Sequence, residues 1–278
     1  MLYQWNIVGH HKQLLQIERE IKDGNLSHAY LFSGPKQGGK YTIAKIVAKI
    51  LQCPNDFCRV CSDCEMIRKE IHPDTIIIRD KGEAIKINDV RELIRTTNLT
   101  HRGKYRIIII ENIERMPIEA QNSFLKTLEE PPNGTIFLLT TNQIDQVLLT
   151  IQSRVRHYNF STIEDAELTE YLEKKFGERP DTEEVVNIAQ GRPGLAISLM
   201  ENQQAFAHQK NLCHQIEVFL KKNDLAQKFL FIDQIEKDQD EVELFLDAFT
   251  RYLRKLIFEY SHMPEHPLKS RFALRDIV

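Results

Sequence analysis

The chain carries no excess of positive charge. Its 37 Lys+Arg and 40 Asp+Glu leave a formal net charge of -3 over 278 residues, so no global field draws it onto nucleic acid or an anionic membrane. Any nucleic-acid role must therefore be local or shared with partners. Long hydrophobic runs are missing too: Ile107 to Ile110 and Ile136 to Leu139 are typical, far below the roughly 18 residues a membrane span needs. The N-terminal Met1-Leu2-Tyr3-Gln4-Trp5-Asn6 lacks the basic and apolar regions of a secretory signal, which makes a cytoplasmic location the default. There is no repeat or low-complexity segment, and 42% hydrophobic beside 28% charged residues argues against a disordered or fibrous chain. Cysteine is scarce, five in all, yet Cys53, Cys58, Cys61 and Cys64 fall within twelve residues. In a reducing compartment such a cluster holds metal more often than disulfides.

The length suggests about two domains at roughly 150 residues each. From Ser27 to Val155, short apolar runs alternate with helical patterns, the signature of an α/β domain with a mostly parallel sheet. Strands are expected at Ala29 to Ser33, Thr75 to Arg79, Arg106 to Ile110 and Ile136 to Thr140, and helices at Asn88 to Leu99 and Glu119 to Leu128, the second ended by Pro131-Pro132-Asn133-Gly134. After about Phe160 the strand signals fade. Ser161-Thr162 with Glu164 and Asp165 resembles a capping box opening a helix. A second helix over Glu183 to Ala189 stops at Gly191, and Pro193-Gly194 forms a corner before a third through Met200. From about Ala205 onward Phe219, Leu220, Phe229, Ile232 and Ile235, then Phe245, Phe249, Leu253 and Leu256, indicate about three amphipathic helices.

After the first expected strand comes Gly34-Pro35-Lys36-Gln37-Gly38-Gly39-Lys40-Tyr41, which fits G-x-x-x-x-G-K and precedes a helical Thr42 to Leu51. Such glycines let backbone N–H groups curl round a phosphate at a helix N-terminus, and Lys40 supplies a neutralising charge. The hydroxyl that should follow the lysine to hold Mg²⁺ is replaced by Tyr41. Thr42 is one residue further along, turned by about 100°. The strand Arg106 to Ile110 ends in Glu111-Asn112. The Asn112 amide cannot accept a proton from an attacking water, which removes a general base, whereas Glu111 can still attract a cation.

These residues, with His28-Ala29-Tyr30-Leu31-Phe32-Ser33-Gly34, His72-Pro73-Asp74, the run Ala120 to Pro132 containing Leu128-Glu129-Glu130-Pro131-Pro132, and Thr150-Ile151-Gln152-Ser153-Arg154-Val155, resemble the AAA+ clamp-loader family of bacterial DNA polymerase III. The resemblance covers roughly residues 1 to 205. It implies an AAA+ P-loop domain over 1–160 with a zinc module at about 53–64, a helical lid over 161–204 and a short helical collar over 205–278. It implies a hetero-pentamer with gamma/tau and delta subunits, which places a sliding clamp on primed DNA. Each ATP then lies between subunits and an arginine reaches the γ-phosphate of the neighbour. That arginine is matched by Ser153-Arg154, with Val155 in place of the family's Cys. An arginine in this role stabilises charge on the transferring phosphoryl group. The lid's sensor arginine is matched by Gly194 in Gly191-Arg192-Pro193-Gly194, Arg192 lying two residues early. Gly34, Gly39, Lys40, Thr42 and Glu111 thus form a degenerate ATP and Mg²⁺ site, and the pattern resembles a stator subunit that does not itself hydrolyse ATP.

The spacing Cys53-x4-Cys58-x2-Cys61-x2-Cys64 offers four thiolates to a closed, structural Zn²⁺, with His72 as a weaker substitute for Cys53. Cys213, alone in a helix pattern, reads as a small apolar residue. Arg59, Arg68 and Lys69 are offset by Asp56, Asp63, Glu65 and Glu70, which favours structure over nucleic-acid binding for the module. Two other classes remain open: an active ATPase using Thr42 or water for metal and Glu114 as base, and a zinc-dependent nucleic-acid-binding module.

Overall fold

Four short apolar runs and one polar segment assemble into one sheet. The computed structural model describes residues 3–55, 57–80, 82, 84–85, 87–97, 103–221, 232 and 239–262, and the chain divides into two compact units, Met1–Ile197 and Ser198–Val278. In the first unit β1 (Ala29–Ser33), β2 (Thr75–Ile78), β3 (Arg106–Ile110), β4 (Thr135–Thr141) and β5 (Arg156–Asn159) lie in the order β2-β3-β4-β1-β5. Every pairing is parallel. β1, β3 and β4 are buried along their whole length, which explains their unbroken apolar character, because helices cover both faces of a parallel sheet.

Alternation along the strands sorts side chains between two cores. On one face Tyr30, Phe32, Ile107, Ile109 and Leu138 pack with α1 (His11–Lys22) and α2 (Lys40–Gln52) through Leu14, Ile17, Ile43 and Val47. A short helix, α3 (Ser62–Arg68), adds Ile67 to that core. On the other face Leu31, Ile108, Ile110, Phe137 and Leu139 meet Val90 and Leu93 of α4 (Ile87–Thr97) and Phe124 and Leu128 of α5 (Ile118–Glu129). The edge strand β5 is anchored to α1 by a buried carboxylate. Glu20 accepts from Tyr30 Oη at 2.8 Å, pairs with Arg156 Nε at 2.8 Å and accepts from Tyr158 Oη. Burial pushes both phenols up, Tyr158 to about 12, and Glu20 adds to the shift.

After a one-turn helix, α6 (Leu149–Gln152), three helices follow β5: α7 (Asp165–Phe176), α8 (Thr182–Ala189) and α9 (Pro193–Glu201). The capping-box expectation at Ser161-Thr162 is corrected here. α7 begins at Asp165 with Glu164 as its N-cap, because Ile163 N–H donates instead to Gly191 O at 2.9 Å. α9 also starts at Pro193 itself rather than after a corner, as a proline at the first helical position allows.

In the second unit α10 (Gln203–Lys221) and α11 (Gln239–His262) pack Leu212, Ile216 and Leu220 against Phe245, Ala248 and Phe249. Phe245 and Phe249 stack at 5.6 Å and Phe219 meets both edge-on. The expected apolar positions Phe229 and Ile235 lie outside the described residues. Among the described residues no helix is long and apolar enough to cross a membrane.

Candidate functional site

The glycine loop leaves the carboxyl end of β1, between β4 and the edge strand β5, and open α/β folds bind ligands at the carboxyl ends of their strands. Gly34 has φ 148°, and a Cβ there would stand 2.0 Å from Phe160 O, so only glycine permits the exit. Gly38 N–H donates to Pro35 O at 3.1 Å, and Gly39, in a left-handed conformation, is the N-cap of α2. Lys40 is buried, 4% exposed. Its Nζ donates to Gly34 O at 2.9 Å, Pro35 O at 2.6 Å and Asn142 Oδ1 at 2.9 Å. An ammonium has three N–H donors, so all of them are engaged within the chain. Burial pushes Lys40 down to about 8, with Glu114 and Glu111 opposing the shift and Arg192 adding to it.

The residues that replace the metal ligands are locked together. Tyr41 Oη donates to Glu70 Oε1 at 2.7 Å, the oxygen that also receives Lys45 Nζ at 2.8 Å and Arg79 Nη1 at 3.0 Å. Arg79 lies 4.2 Å from the Tyr41 ring centre and its Nε is 2.9 Å from Glu111 Oε2. Glu70 is costly to bury, but Lys45 and Tyr41 outweigh that and bring its carboxyl down to about 2. Glu111 also accepts the Asp80 N–H at 3.2 Å. Asn112 donates to Asp80 Oδ2 at 2.6 Å and accepts from Asn142 Nδ2 at 2.8 Å, while Glu114 Oε1 accepts the Asn142 N–H at 2.8 Å. Thr42 is exposed on α2. An Mg²⁺-triphosphate needs the lysine donors and an acidic metal partner. Here the Lys40 donors rest on its own loop and on Asn142, and Glu111 is paired with Arg79.

Helix α9 also touches the glycine loop. Gly194 N–H, in the first turn of α9, donates to Gln37 O at 2.8 Å, and a Cβ at Gly194 would stand 2.6 Å from that oxygen. A glycine where the resemblance expects an arginine is what lets the lid backbone touch the phosphate loop. Arg192 is buried.

Arg154 stands apart from this network, just beyond α6. Its Nε donates to Glu129 Oε1 at 3.0 Å, its Nη2 lies 2.7 Å from the same oxygen, and its Nη1 donates to Thr150 O at 2.9 Å and Ser153 Oγ at 3.1 Å. The side chain is 36% exposed.

The loop after α2 and the start of α3 bring Cys53, Cys58, Cys61 and Cys64 together, with all four sulfurs within 4.8 Å of one another. Cys53 Sγ is 3.6 Å from Cys58 Sγ and 3.8 Å from Cys61 Sγ. Four Zn–S bonds of about 2.3 Å in a tetrahedron place sulfurs about 3.8 Å apart, so the group fits Zn²⁺. Backbone N–H groups of Val60 and Cys61 lower the Cys58 thiol to about 6, while burial pushes Cys64 up to about 12. His72 is not in the group: its Nδ1 accepts the Asp74 N–H at 3.1 Å and its Nε2 is 3.4 Å from Asp63 Oδ1.

Sequence reasoning missed Asn142, Glu70 and Arg79, and it gave Glu129 no role. Asn142 follows a buried strand directly, a detectable signal for a site at the sheet's carboxyl end. Glu70 and Arg79 carry no such local signal.

A glycine loop between β1 and α2 in a five-stranded parallel sheet flanked by helices is an AAA+ type of fold. Residues 9–164 match the family model described as DNA polymerase III, delta subunit, and the chain belongs to that family. The DNA polymerase III subunit gamma of Buchnera aphidicola (subsp. Schizaphis graminum) is 28% identical over 261 residues, 88% of this chain and 70% of that protein. The tau subunit of Escherichia coli is 31% identical over 173 residues, 60% of this chain but 27% of that protein. The chain therefore spans well under half of the longer relative. Among solved structures, an arginine-to-alanine variant of RuvB from Thermotoga maritima aligns with a TM-score of 0.51 at 17% identity over 93% of this chain and 79% of that one, a likeness of fold.

Proposed function

We propose that this chain is a clamp-loader subunit of bacterial DNA polymerase III, of the delta-prime kind: a stator that neither binds nor hydrolyses ATP productively and that offers Arg154 to the ATP site of a neighbouring subunit. One observation carries the reading. Lys40 and Glu111 are engaged by the chain's own groups, while the arginine of the Ser-Arg motif, held by Glu129, Thr150 and Ser153, keeps a partly exposed side chain. The membership of the family and the gamma and tau relatives support assembly with gamma/tau and delta subunits into a hetero-pentamer acting on a sliding clamp at primed DNA. In such a ring Arg154 supplies a planar cationic fork to charge building on the transferring phosphoryl group, a contribution of about 10³ to 10⁵ in rate for arginine fingers generally.

Residues 1–160 serve as the sheet domain, 161–204 as the lid and 205–278 as a short collar segment. The thiolates of Cys53, Cys58, Cys61 and Cys64 hold a structural Zn²⁺, which cross-links the loop after α2 to α3 and leaves no ligand position open for chemistry. The test pairs two measurements. Calorimetric titration of the isolated chain with Mg²⁺-ATP is expected to show no binding in the micromolar range, and adding the chain to the organism's ATP-hydrolysing subunits is expected to raise their DNA-stimulated rate. Micromolar binding with hydrolysis lost in Lys40→Ala would establish the active-ATPase reading instead.

A further inference from the structure

The resting contacts of Arg154 leave it poorly placed to receive a phosphate. A guanidinium grips an anion best through two parallel N–H donors along one edge. Here the Nε/Nη2 edge faces Glu129 Oε1, at 3.0 and 2.7 Å. The Nη1/Nη2 edge is compromised as well, because Nη1 donates to Thr150 O and Ser153 Oγ. Neither of those two edges is fully free. Of the three groups holding the side chain, Glu129 is the charged one, and it occupies the last residue of α5, where Pro131-Pro132 follow. Thr150 and Ser153 belong to the same short segment as Arg154. Glu129 comes from a different element.

The pair is also built to let go. Arg154 is 36% exposed and Glu129 49%, so water competes for both and the hold is weak. A γ-phosphate carries more negative charge than one carboxylate and accepts along the same edge. Resting on the reading of Arg154 as an arginine donated to a neighbour, we propose that Glu129 is its positioning residue. The carboxylate parks the guanidinium against the end of α5 and gives it up when the neighbour's triphosphate takes its place. No bond is made or broken; one charge-assisted contact is exchanged for another. The consequence is a ring whose basal hydrolysis is restrained by this chain as well as driven by it.

The experiment uses the full chain in a ring reconstituted with the organism's own ATP-hydrolysing subunits, and reads the basal ATPase rate without DNA. Glu129→Gln keeps an accepting oxygen but removes the charge, and is expected to raise that rate about two- to fivefold, the span that an exposed ion pair supports. Glu129→Asp keeps the charge and should restore most of the restraint. In an Arg154→Ala background Glu129→Gln should change nothing, which a merely structural role at the end of α5 would not predict. The difference between wild type and Glu129→Gln should shrink as salt rises and screens the pair. If Arg154→Ala lowers the rate but Glu129→Gln leaves it unchanged or lowers it, the positioning role is overturned and the donated arginine survives. If Arg154→Ala itself has no effect in a ring that assembles, the donated-arginine reading fails and the positioning role falls with it.

Discussion

Gly34 illustrates how one residue sets the position of the candidate site. With φ 148° and a notional Cβ 2.0 Å from a backbone carbonyl, Gly34→Ala must displace either the loop or the start of the lid, neither of which is a flexible side-chain end. A loss of about 3 kcal/mol is expected, read as a lower urea midpoint with an unchanged slope. Glu70 gives a prediction in pH. Its folded carboxyl lies at about 2, below the usual 4.5, so the folded state binds its proton less readily than the unfolded one. Its stabilising effect is complete above about pH 4.5 and is lost as pH falls through about 2. The stability gap between wild type and Glu70→Gln should therefore narrow across that window; a gap that stays constant would contradict the arrangement around Tyr41. At this scale the sequence was informative where geometry requires a particular residue: the tight exit at Gly34 and the grouping of the four cysteines could be marked in advance. Tyr41 was legible as a lost hydroxyl but not as a new anchor, since Glu70 and Arg79 lie 29 and 38 residues away and meet it only through the fold.

Among the elements, β1 and β3 were legible to the residue because strands covered on both faces read as unbroken apolar runs. β5 was not. Along Arg156–Asn159 only Tyr158 points inward, so the segment looks polar, and its place in the sheet depends on β1 and on Glu20 of α1. The start of α7 was misplaced for a related reason: Ser161 and Thr162 have the composition of a cap, but Ile163 is committed to Gly191. The covering helix α5 offers a packing test. Phe124 is fully buried and meets Phe137 edge-on at 5.1 Å, so Phe124→Ala should cost about 3–5 kcal/mol. The proposed zinc site at the four cysteines offers another. Because a structural metal contributes its binding free energy to folding, Cys61→Ser or a strong chelator should lower the melting temperature and helicity of the chain. A variant that keeps full stability and loses only nucleic-acid affinity would instead point to a binding module.

At the scale of the molecule, two cationic sites differ in burial: Lys40 is buried and Arg154 partly exposed. The glycine loop is contacted by Lys40 from within and by Gly194 of α9, and Glu111 is paired with Arg79. The Ser153-Arg154 corner, at the far end of the same sheet domain's sequence, keeps an exposed cation on a weak tether. The sequence showed Tyr41 and Asn112 where the resemblance expects a hydroxyl and a carboxylate, but not their partners: the structure ties Tyr41 to Glu70 and Arg79, and Asn112 to Asp80 and Asn142. Lys40 and Arg154 can accordingly be set against each other in one assay. The most direct measurement is the DNA-stimulated ATPase rate of a reconstituted ring carrying either Lys40→Ala or Arg154→Ala in this chain, normalised to assembled ring. The account predicts that Arg154→Ala lowers the rate tenfold or more and that Lys40→Ala, if it folds and assembles, leaves it close to wild type. A loss of rate with Lys40→Ala and none with Arg154→Ala would contradict it.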